Sequence, residues 1–170
     1  MKRCCAVYLL FWLGIVGLLA GCAGKPVGPA SQETLQTRAL KPAPGKALVY
    51  YYNHRLFLGA TNVTLDKLTS AIGSNKYVVW EIEPGKHRLE FSYQSLFAHK
   101  FELELTCAAD QTYYFFLQSE TRFDLPSDDP NRNTYAIVAA DEQTGRAQIE
   151  KFGLAGWFED GVLVPPAEAK

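Results

Sequence analysis

Short runs of β-branched and aromatic residues fill the middle of the chain, and turn residues separate them at intervals of about 8–12 positions. Leu89, Phe91 and Tyr93 alternate with polar residues, which is the pattern of a strand buried on one side. Many short strands at this spacing are typical of two packed sheets. We therefore expect an all-β fold, a single antiparallel β-sandwich, with strands at residues 47–53, 56–64, 76–83, 87–93, 99–107, 112–120 and 134–140.

A turn is predicted between the third and fourth of these strands, at Glu83-Pro84-Gly85-Lys86. Proline presets φ for the second position of a turn, and glycine supplies the positive φ that a type II turn needs at the third position. We therefore expect the two flanking strands to form a hairpin.

Residues 141–152 open with acidic residues and close with Lys151, the charge order that a helix dipole prefers, so they predict a short C-terminal helix. A hairpin that turns at Thr144-Gly145 is the alternative, since glycine weakens a helix. We assign residues 47–152 to the sandwich domain and residues 153–170 to a C-terminal tail. Trp157 and Phe158 in that tail are expected to pack on the sandwich, and contact with a lipid interface is the alternative.

The N-terminus has the layout of a secretory signal: Lys2 and Arg3, then an uncharged apolar run, then small residues. The sequence Leu19-Ala20-Gly21-Cys22 resembles the lipobox of bacterial lipoproteins. That resemblance implies a signal peptide over residues 1–21, cleavage between Gly21 and Cys22, and lipid attachment at the Cys22 thiol. The alternative is an uncleaved transmembrane helix, because the charge-free stretch has about the 20 residues that a span requires.

Acylation of Cys22 would make membrane lipid the first partner of the protein, since two or more acyl chains anchor a protein durably. The lipoprotein sorting rule places Asp after the lipidated cysteine of inner-membrane proteins, and this chain has Ala23 there. We therefore expect the bacterial outer membrane, on the side facing the periplasm, with the inner membrane or cell surface as alternatives. Residues 22–46, rich in proline and poor in large apolar residues, are predicted to form a flexible tether.

Composition narrows the classes of function. The 170 residues are 48% hydrophobic and 21% charged, which fits one globular domain, and 17 basic against 18 acidic residues give a net charge of −1. Such a balance argues against nucleic acid as a partner. Of the four cysteines only Cys107 is expected to remain a free thiol, and its alternation with Leu103 and Leu105 predicts a buried core position.

Three segments carry a family resemblance: Lys46 to Tyr52, Val63 to Lys67, and Val78 through the turn Pro84-Gly85-Lys86-His87 to Glu90. Together they look like the bacterial lipoprotein family with the domain of unknown function numbered twenty-eight forty-six, which is similar to PEGA-type β-sandwich domains. The resemblance implies an Ig-like or PEGA-like sandwich and an envelope location, and it implies no reaction or ligand. Asp66-Lys67 departs from the Asp-Gly usual there, so a tight type I′ turn is not expected.

The sequence contains no recognisable catalytic motif. His54, His87 and His99 are the only imidazoles, none lies beside a nucleophile in a known pattern, and His87 and His99 are expected to be solvated residues at strand ends. We expect no catalytic residues, no cofactor and no metal. Asp128 and Asp129 lie in a loop rich in oxygen ligands, where a cation site is the alternative to a plain surface loop.

Aromatic residues offer the one candidate for binding. If Val49 and Tyr51 point inward, alternation turns Tyr50 and Tyr52 outward, where they would form an exposed surface for a glycan or an envelope protein. The sequence therefore predicts a non-catalytic binding or scaffolding lipoprotein. An envelope hydrolase with an unrecognised active site is the alternative.

Overall fold

The computed structural model describes residues 36–55, 61–94, 98–121, 123–124, 126, 133–159 and 161–164. The predicted signal peptide, Gly21, Cys22 and the tether up to residue 35 lie outside the described residues. So does the pair Asp128 and Asp129. No helix in the described ranges is long and apolar enough to cross a membrane.

Two sheets make up the domain, which confirms the all-β sandwich. The six-stranded sheet has the order β10-β9-β4-β1-β7-β8, and the four-stranded sheet has the order β3-β2-β5-β6. The elements are β1 (Ala47–Asn53), β2 (Thr61–Leu65), β3 (Leu68–Ala71), β4 (Lys76–Ile82), β5 (Gly85–Gln94), β6 (Ala98–Cys107), β7 (Thr112–Thr121), β8 (Asn133–Ala140), α1 (Glu142–Ile149), β9 (Gly153–Glu159) and β10 (Val162–Val164).

The six-stranded sheet is mixed, so the expectation of purely antiparallel pairing holds only in part. The pairs β1–β7 and β4–β9 are parallel, whereas β1–β4, β7–β8 and β9–β10 are antiparallel. All pairs of the four-stranded sheet are antiparallel. Strands β1 and β4 lie in the middle of the mixed sheet, and nearly all their residues are buried on both faces, as interior strands of a covered sheet are.

Apolar side chains form two clusters, one on each face of the six-stranded sheet. The first lies between the two sheets and includes Val49, Tyr51 and Trp80, together with Leu89 and Phe91 of the facing sheet. The second lies on the opposite face and contains these residues: Leu48, Tyr50, Tyr52, Tyr77, Val79, Tyr114, Ile149, Phe152 and Leu154. Helix α1 and the segment before β1 cover the second cluster, so the protein has a third layer that the sandwich prediction did not include.

The segment 36–46 is packed on the domain, which corrects the predicted boundary of the tether at residue 46. Thr37 is fully buried, and its carbonyl accepts a 2.6 Å hydrogen bond from the Tyr50 hydroxyl. The Thr37 and Tyr77 hydroxyl oxygens are 2.6 Å apart, and Arg38 Nη2 donates to the Phe152 carbonyl at 2.6 Å. The low content of large apolar residues suggested a tether, but short polar contacts and Leu40 hold this segment in place.

The predicted C-terminal tail is also part of the domain. Strand β9 pairs with β4, and β10 extends the sheet from β9. Phe158 belongs to the core between the sheets, and Trp157 packs against the second cluster, which confirms packing on the sandwich for these two residues. The boundary predicted at residue 152 is therefore wrong.

The turn at Pro84-Gly85 does not close a hairpin. Strand β4 belongs to the six-stranded sheet and β5 to the four-stranded sheet, so the chain passes here from one sheet to the other. Gly85 has φ +145°, which meets the predicted need for a residue without a side chain. The prediction failed because a turn sequence fixes local φ and leaves open which neighbour each strand pairs with.

Helix α1 confirms the helical prediction for residues 141–152 over the hairpin alternative. Asp141 caps its N-terminus, because Asp141 Oδ1 accepts a 2.8 Å hydrogen bond from the Thr144 amide. The two-residue loop Asp66-Lys67 joins β2 to β3 as a hairpin. Only Asp66 of that loop has positive φ, at 55°, so the type I′ turn is not formed, as expected.

Candidate functional site

Tyr50 and Tyr52 lie on the face of β1 opposite Val49 and Tyr51, as alternation predicted. Both are only 2% exposed, so the prediction of an exposed aromatic surface is wrong. Tyr50 stacks on Tyr114 with ring centroids 5.2 Å apart, and Tyr52 stacks on Phe116 at 5.3 Å. Alternation assigns side chains to a face, but whether a third layer covers that face depends on residues far away in sequence.

A cavity of about 250 Å³ remains between the segment 36–46 and helix α1. Arg38, Tyr50, Tyr114 and Arg146 line it, together with Ala39, Ile149 and Glu150. Arg146 Nε is 2.9 Å from Glu142 Oε1, so the charge of this guanidinium is largely satisfied within the helix. The Arg38 Nε is buried and has no hydrogen-bond partner in the described part of the chain.

Burial sets the protonation state of the phenols around this cavity. It raises the pKa of the Tyr50 hydroxyl far above its ordinary value, and the neighbouring Tyr114 and Tyr77 phenols add to the rise. Desolvation likewise raises the pKa of Tyr77 and of Tyr114. These groups therefore act as neutral hydrogen-bond donors and apolar surfaces, and not as acids or bases near neutral pH.

A larger and more open cavity, of about 560 Å³, lies beside the Asp66-Lys67 hairpin on the four-stranded sheet. Its lining carries both signs of charge and consists of Asp66, Lys86, His87, Arg88, Glu104, Leu105 and Thr106. Asp66 Oδ1 accepts a 2.9 Å hydrogen bond from the Arg88 amide, and Asp66 Oδ2 is 2.8 Å from His87 Nδ1. The cavity can therefore offer both cationic donors and carboxylate acceptors to a polar ligand.

His87 is held at both ring nitrogens. Its Nδ1 faces Asp66, and its Nε2 lies 2.8 Å from the Glu83 carbonyl oxygen, which can only accept a hydrogen bond. The Nε2 must therefore carry a hydrogen, and it cannot take a proton from a substrate while this bond persists. The His87 side chain is 12% exposed, so the prediction of a solvated strand-end histidine is wrong for this residue.

Sequence reasoning missed the pairing of Asp66 with His87, which are 21 positions apart. The β2–β5 ladder brings them together, because Leu65 pairs with Leu89 and the hairpin tip then reaches back over β5. Asp66 at the hairpin tip was a signal that sequence reasoning could have used, because an Asp in a tight turn often accepts hydrogen bonds from neighbouring backbone amides.

Cys107 is a free thiol and is 2% exposed, which confirms the prediction of a core cysteine. Burial raises the pKa of the thiol from 9.0 to about 11, and the nearby Asp66 carboxylate adds to the rise. Because the thiolate is the nucleophilic form, this environment suppresses its reactivity.

The other histidines are not gathered into a site. His99 stacks on Tyr93 at 4.8 Å, and His54 lies 5.8 Å from the Phe116 ring. His99 pairs across β5–β6 with Tyr93, six positions along the ladder from His87. Within the described ranges no three His, Cys, Asp or Glu residues are grouped as metal ligands would be.

No protein-family model matches the chain, and no curated protein resembles it closely enough to count as a relative.

Proposed function

We propose that this chain is a lipid-anchored lipoprotein of the bacterial envelope, and that its sandwich is a non-catalytic binding or scaffolding module. The observation that carries the proposal is the sequence Leu19-Ala20-Gly21-Cys22 at the end of an apolar, charge-free run. The expected partners are membrane lipid, through acylated Cys22, and an envelope protein or glycan. Its proposed site is the outer membrane, facing the periplasm.

The packed segment shortens the link to the proposed anchor. Thr37 is packed into the domain, and 15 peptide steps separate it from Cys22. A fully extended chain of this length reaches about 50 Å at most. The domain would therefore stay within about 50 Å of the bilayer. Such a distance suits a partner in the same membrane or in the envelope layer next to it.

The 560 Å³ cavity beside Asp66 and His87 supports the binding role. Its volume falls within the range of about 300–1,000 Å³ that small-molecule sites occupy. Lys86 and Arg88 present donors, whereas Glu104 presents acceptors, so the chemistry fits a polar ligand such as a glycan or a short peptide. Arg88 is also paired with Glu102, and an apolar ligand would take these charged groups out of water without replacing their hydration.

The geometry of the same residues favours binding over hydrolysis. A hydrolase of the serine or cysteine type needs a histidine whose free nitrogen reaches the nucleophile. The Nε2 of His87 instead donates to the Glu83 carbonyl, and the buried Cys107 thiol stays protonated at neutral pH. This arrangement supports the non-catalytic proposal.

Replacing Cys22 by Ala in the full chain tests the anchor. We expect loss of incorporated fatty-acid label and accumulation of the uncleaved precursor, because both processing steps depend on the thiol. Cys107→Ala is the matched control and should label and mature normally, since the Cys107 thiol is buried. If Cys22→Ala still takes up label and reaches the mature size, the lipoprotein proposal fails.

An activity screen tests the proposal that the sandwich is non-catalytic. The purified protein, given ester, peptide and glycan substrates, should show no turnover above a heat-treated sample. Turnover that is lost in His87→Gln but kept in His99→Gln would establish a hydrolase and reject the non-catalytic proposal.

A further inference from the structure

Charged side chains on β5 and β6 are shared unequally between ion pairs. Arg88 faces Glu104 directly across the ladder, yet its Nη2 bonds the diagonal neighbour Glu102. Glu102 Oε1 also lies 3.0 Å from Lys100 Nζ, so this one carboxylate takes two cations. Opposite charges that face each other across a ladder ordinarily stabilise it as a pair. Here the Glu104 carboxylate is left without an ion pair among the described residues.

Lys86 is the corresponding unpaired cation. It is exposed, it faces the uncharged Thr106 across the ladder, and it forms no ion pair with a described residue. Lys86 and Glu104 are therefore diagonal neighbours on the two strands, and both line the cavity of about 560 Å³. The cavity offers a ligand one ammonium and one carboxylate.

The wall of this cavity is held in place by bonds within the protein. Asp66 Oδ2 lies 2.8 Å from His87 Nδ1, and Asp66 Oδ1 accepts a 2.9 Å hydrogen bond from the Arg88 amide. His87 Nε2 bonds the Glu83 carbonyl at 2.8 Å. These contacts fix the tip of the β2–β3 hairpin against β5, and a preformed wall lowers the cost of ordering a site around a ligand.

We propose that this cavity binds a short peptide of two or three residues with a free amino and a free carboxyl terminus. The proposal rests on the binding role proposed above and names its ligand. The Lys86 ammonium donates to the ligand carboxylate, and Glu104 accepts from the ligand ammonium. Diagonal positions on neighbouring strands are about 7–8 Å apart, and an extended dipeptide spans about 7 Å.

The lining does not suit a neutral sugar or an acyl chain. No Tyr, Trp or Phe lines the cavity in the described part of the chain, so a sugar ring finds no aromatic face to pack on. Leu105 is the one aliphatic side chain among the described lining residues, so an acyl chain would bury little apolar surface. A ligand of single charge would pair with Lys86 or with Glu104, whereas a zwitterionic ligand pairs with both.

The cavity also lies away from the point where the proposed anchor joins the domain. It is near the start of β5, which only residues 83–84 separate from the end of β4. The chain from the anchor instead reaches the domain near the start of β4. Arg38 there bonds the carbonyl of Phe152, the residue before β9, and β9 runs parallel to β4 from the pair Lys76↔Gly153. The cavity is therefore open to a ligand outside the anchoring membrane.

Titration of the purified full chain in nonionic detergent with alanylalanine tests the ligand class, with backbone amide signals followed by NMR. The comparison ligands are N-acetyl-alanylalanine, alanylalanine amide and the neutral disaccharide diacetylchitobiose. We expect alanylalanine to shift the signals of residues 86–88 and 104–106. Each blocked peptide should bind about tenfold more weakly or worse, because it loses one charge-assisted hydrogen bond, and the disaccharide should not bind.

Two substitutions assign each charge of the ligand to its partner. Lys86→Met should weaken alanylalanine binding about tenfold and remove the difference between alanylalanine and its amide, since the ligand carboxylate then has no partner to lose. Glu104→Gln should likewise remove the difference between alanylalanine and its acetylated form. Lys151→Met and Glu120→Gln, at exposed positions outside the cavity, are the matched controls and should leave all three affinities unchanged.

The proposal is overturned if alanylalanine does not bind, if both blocked peptides bind as well as alanylalanine does, or if the control substitutions weaken binding equally. Binding of the disaccharide alone would also overturn it, and would keep the binding role under the proposed function. Cleavage of alanylalanine to alanine would reject the non-catalytic part of the proposed function and would still support the ligand class.

Discussion

At the scale of single residues, Tyr50 shows what a strand pattern predicts, the face on which a side chain lies, and what it does not predict, whether that face is exposed. Period-two alternation placed it correctly on the face opposite Tyr51. That second face was expected to meet water, and it is instead covered by Thr37, Leu40 and helix α1. The Tyr50 ring therefore contributes to folding, and its hydroxyl holds the segment before β1.

Replacing Tyr50 by Ser should lower the free energy of unfolding by about 3–5 kcal/mol, because a large buried ring is lost. Tyr50→Phe is the control: it keeps the ring and loses only the bond to the Thr37 carbonyl, at a cost of about 1 kcal/mol. Urea denaturation of the three proteins measures both differences. A Tyr50→Ser protein within about 1 kcal/mol of the parent would mean that segment 36–46 does not cover this face in solution.

At the scale of elements, helix α1 owes its position to a glycine. Gly145 is buried on the helix face that meets the sheet, and an added Cβ would lie 2.2 Å from Cγ of Tyr114. Helix propensity alone treats this glycine as a weakness. The structure shows that it lets the helix approach the tyrosine layer closely.

Gly145→Ala should therefore destabilise the protein by about 1–3 kcal/mol, since the overpacking against Tyr114 exceeds the gain of about 1 kcal/mol in helix propensity. Ala147→Gly, at an exposed position of the same helix, should also destabilise it, by about 1 kcal/mol and through propensity alone. Adding Tyr114→Ala to both distinguishes the causes. In that background Gly145→Ala should become neutral or stabilising, and Ala147→Gly should keep its cost; thermal melts follow each change.

The sequence was sufficient to predict most elements but not their arrangement. Alternation located β1, β4 and β7 within a residue or two at each end, and the acid-to-base order located α1. The sequence did not predict which strands pair with each other. A turn at Pro84-Gly85 is compatible with a connection within one sheet and with a connection between two sheets. Strand β9 lies in the segment assigned to a tail, and Gly153 and Gly156 interrupt its apolar pattern. The cavity beside His87 required the β2–β5 register, which no local pattern contains.

At the scale of the whole molecule, the apolar core contains several weak acids that burial keeps protonated. Desolvation raises the pKa of Tyr50, Tyr51 and Tyr77 above the ordinary value of 10.0, and that of Cys107 from 9.0 to about 11. The folded protein therefore binds these protons more tightly than the unfolded chain does. Linkage turns this difference into a dependence of stability on pH.

The contribution of these groups to stability is fully present below the pKa values of the unfolded chain, and it is lost as the pH rises through those of the folded protein. We expect the urea midpoint to fall from about pH 9 upward, first through Cys107 and then, above about pH 10, through the tyrosines. Cys107→Ala should delay the onset of this fall. If the full phenolate absorbance of the chain, that of Tyr50, Tyr51 and Tyr77 included, develops by simple titration near pH 10 with circular dichroism unchanged, the burial of these rings is contradicted.

The parallel pairing of β4 with β9 also determines when the six-stranded sheet can form during synthesis of the chain. Strand β4 is made early, yet its second neighbour comes from Gly153–Glu159, more than 70 positions later. A growing chain emerges N-terminus first, so β4 has one of its two partners missing while the residues between β4 and β9 are made. The six-stranded sheet therefore cannot be completed until β9 and β10, the last strands in the described part of the chain, have been made. A ribosome that stops before Gly153 releases a chain in which the largely buried strand β4 has an open side, and such a fragment should aggregate or be degraded before it can function.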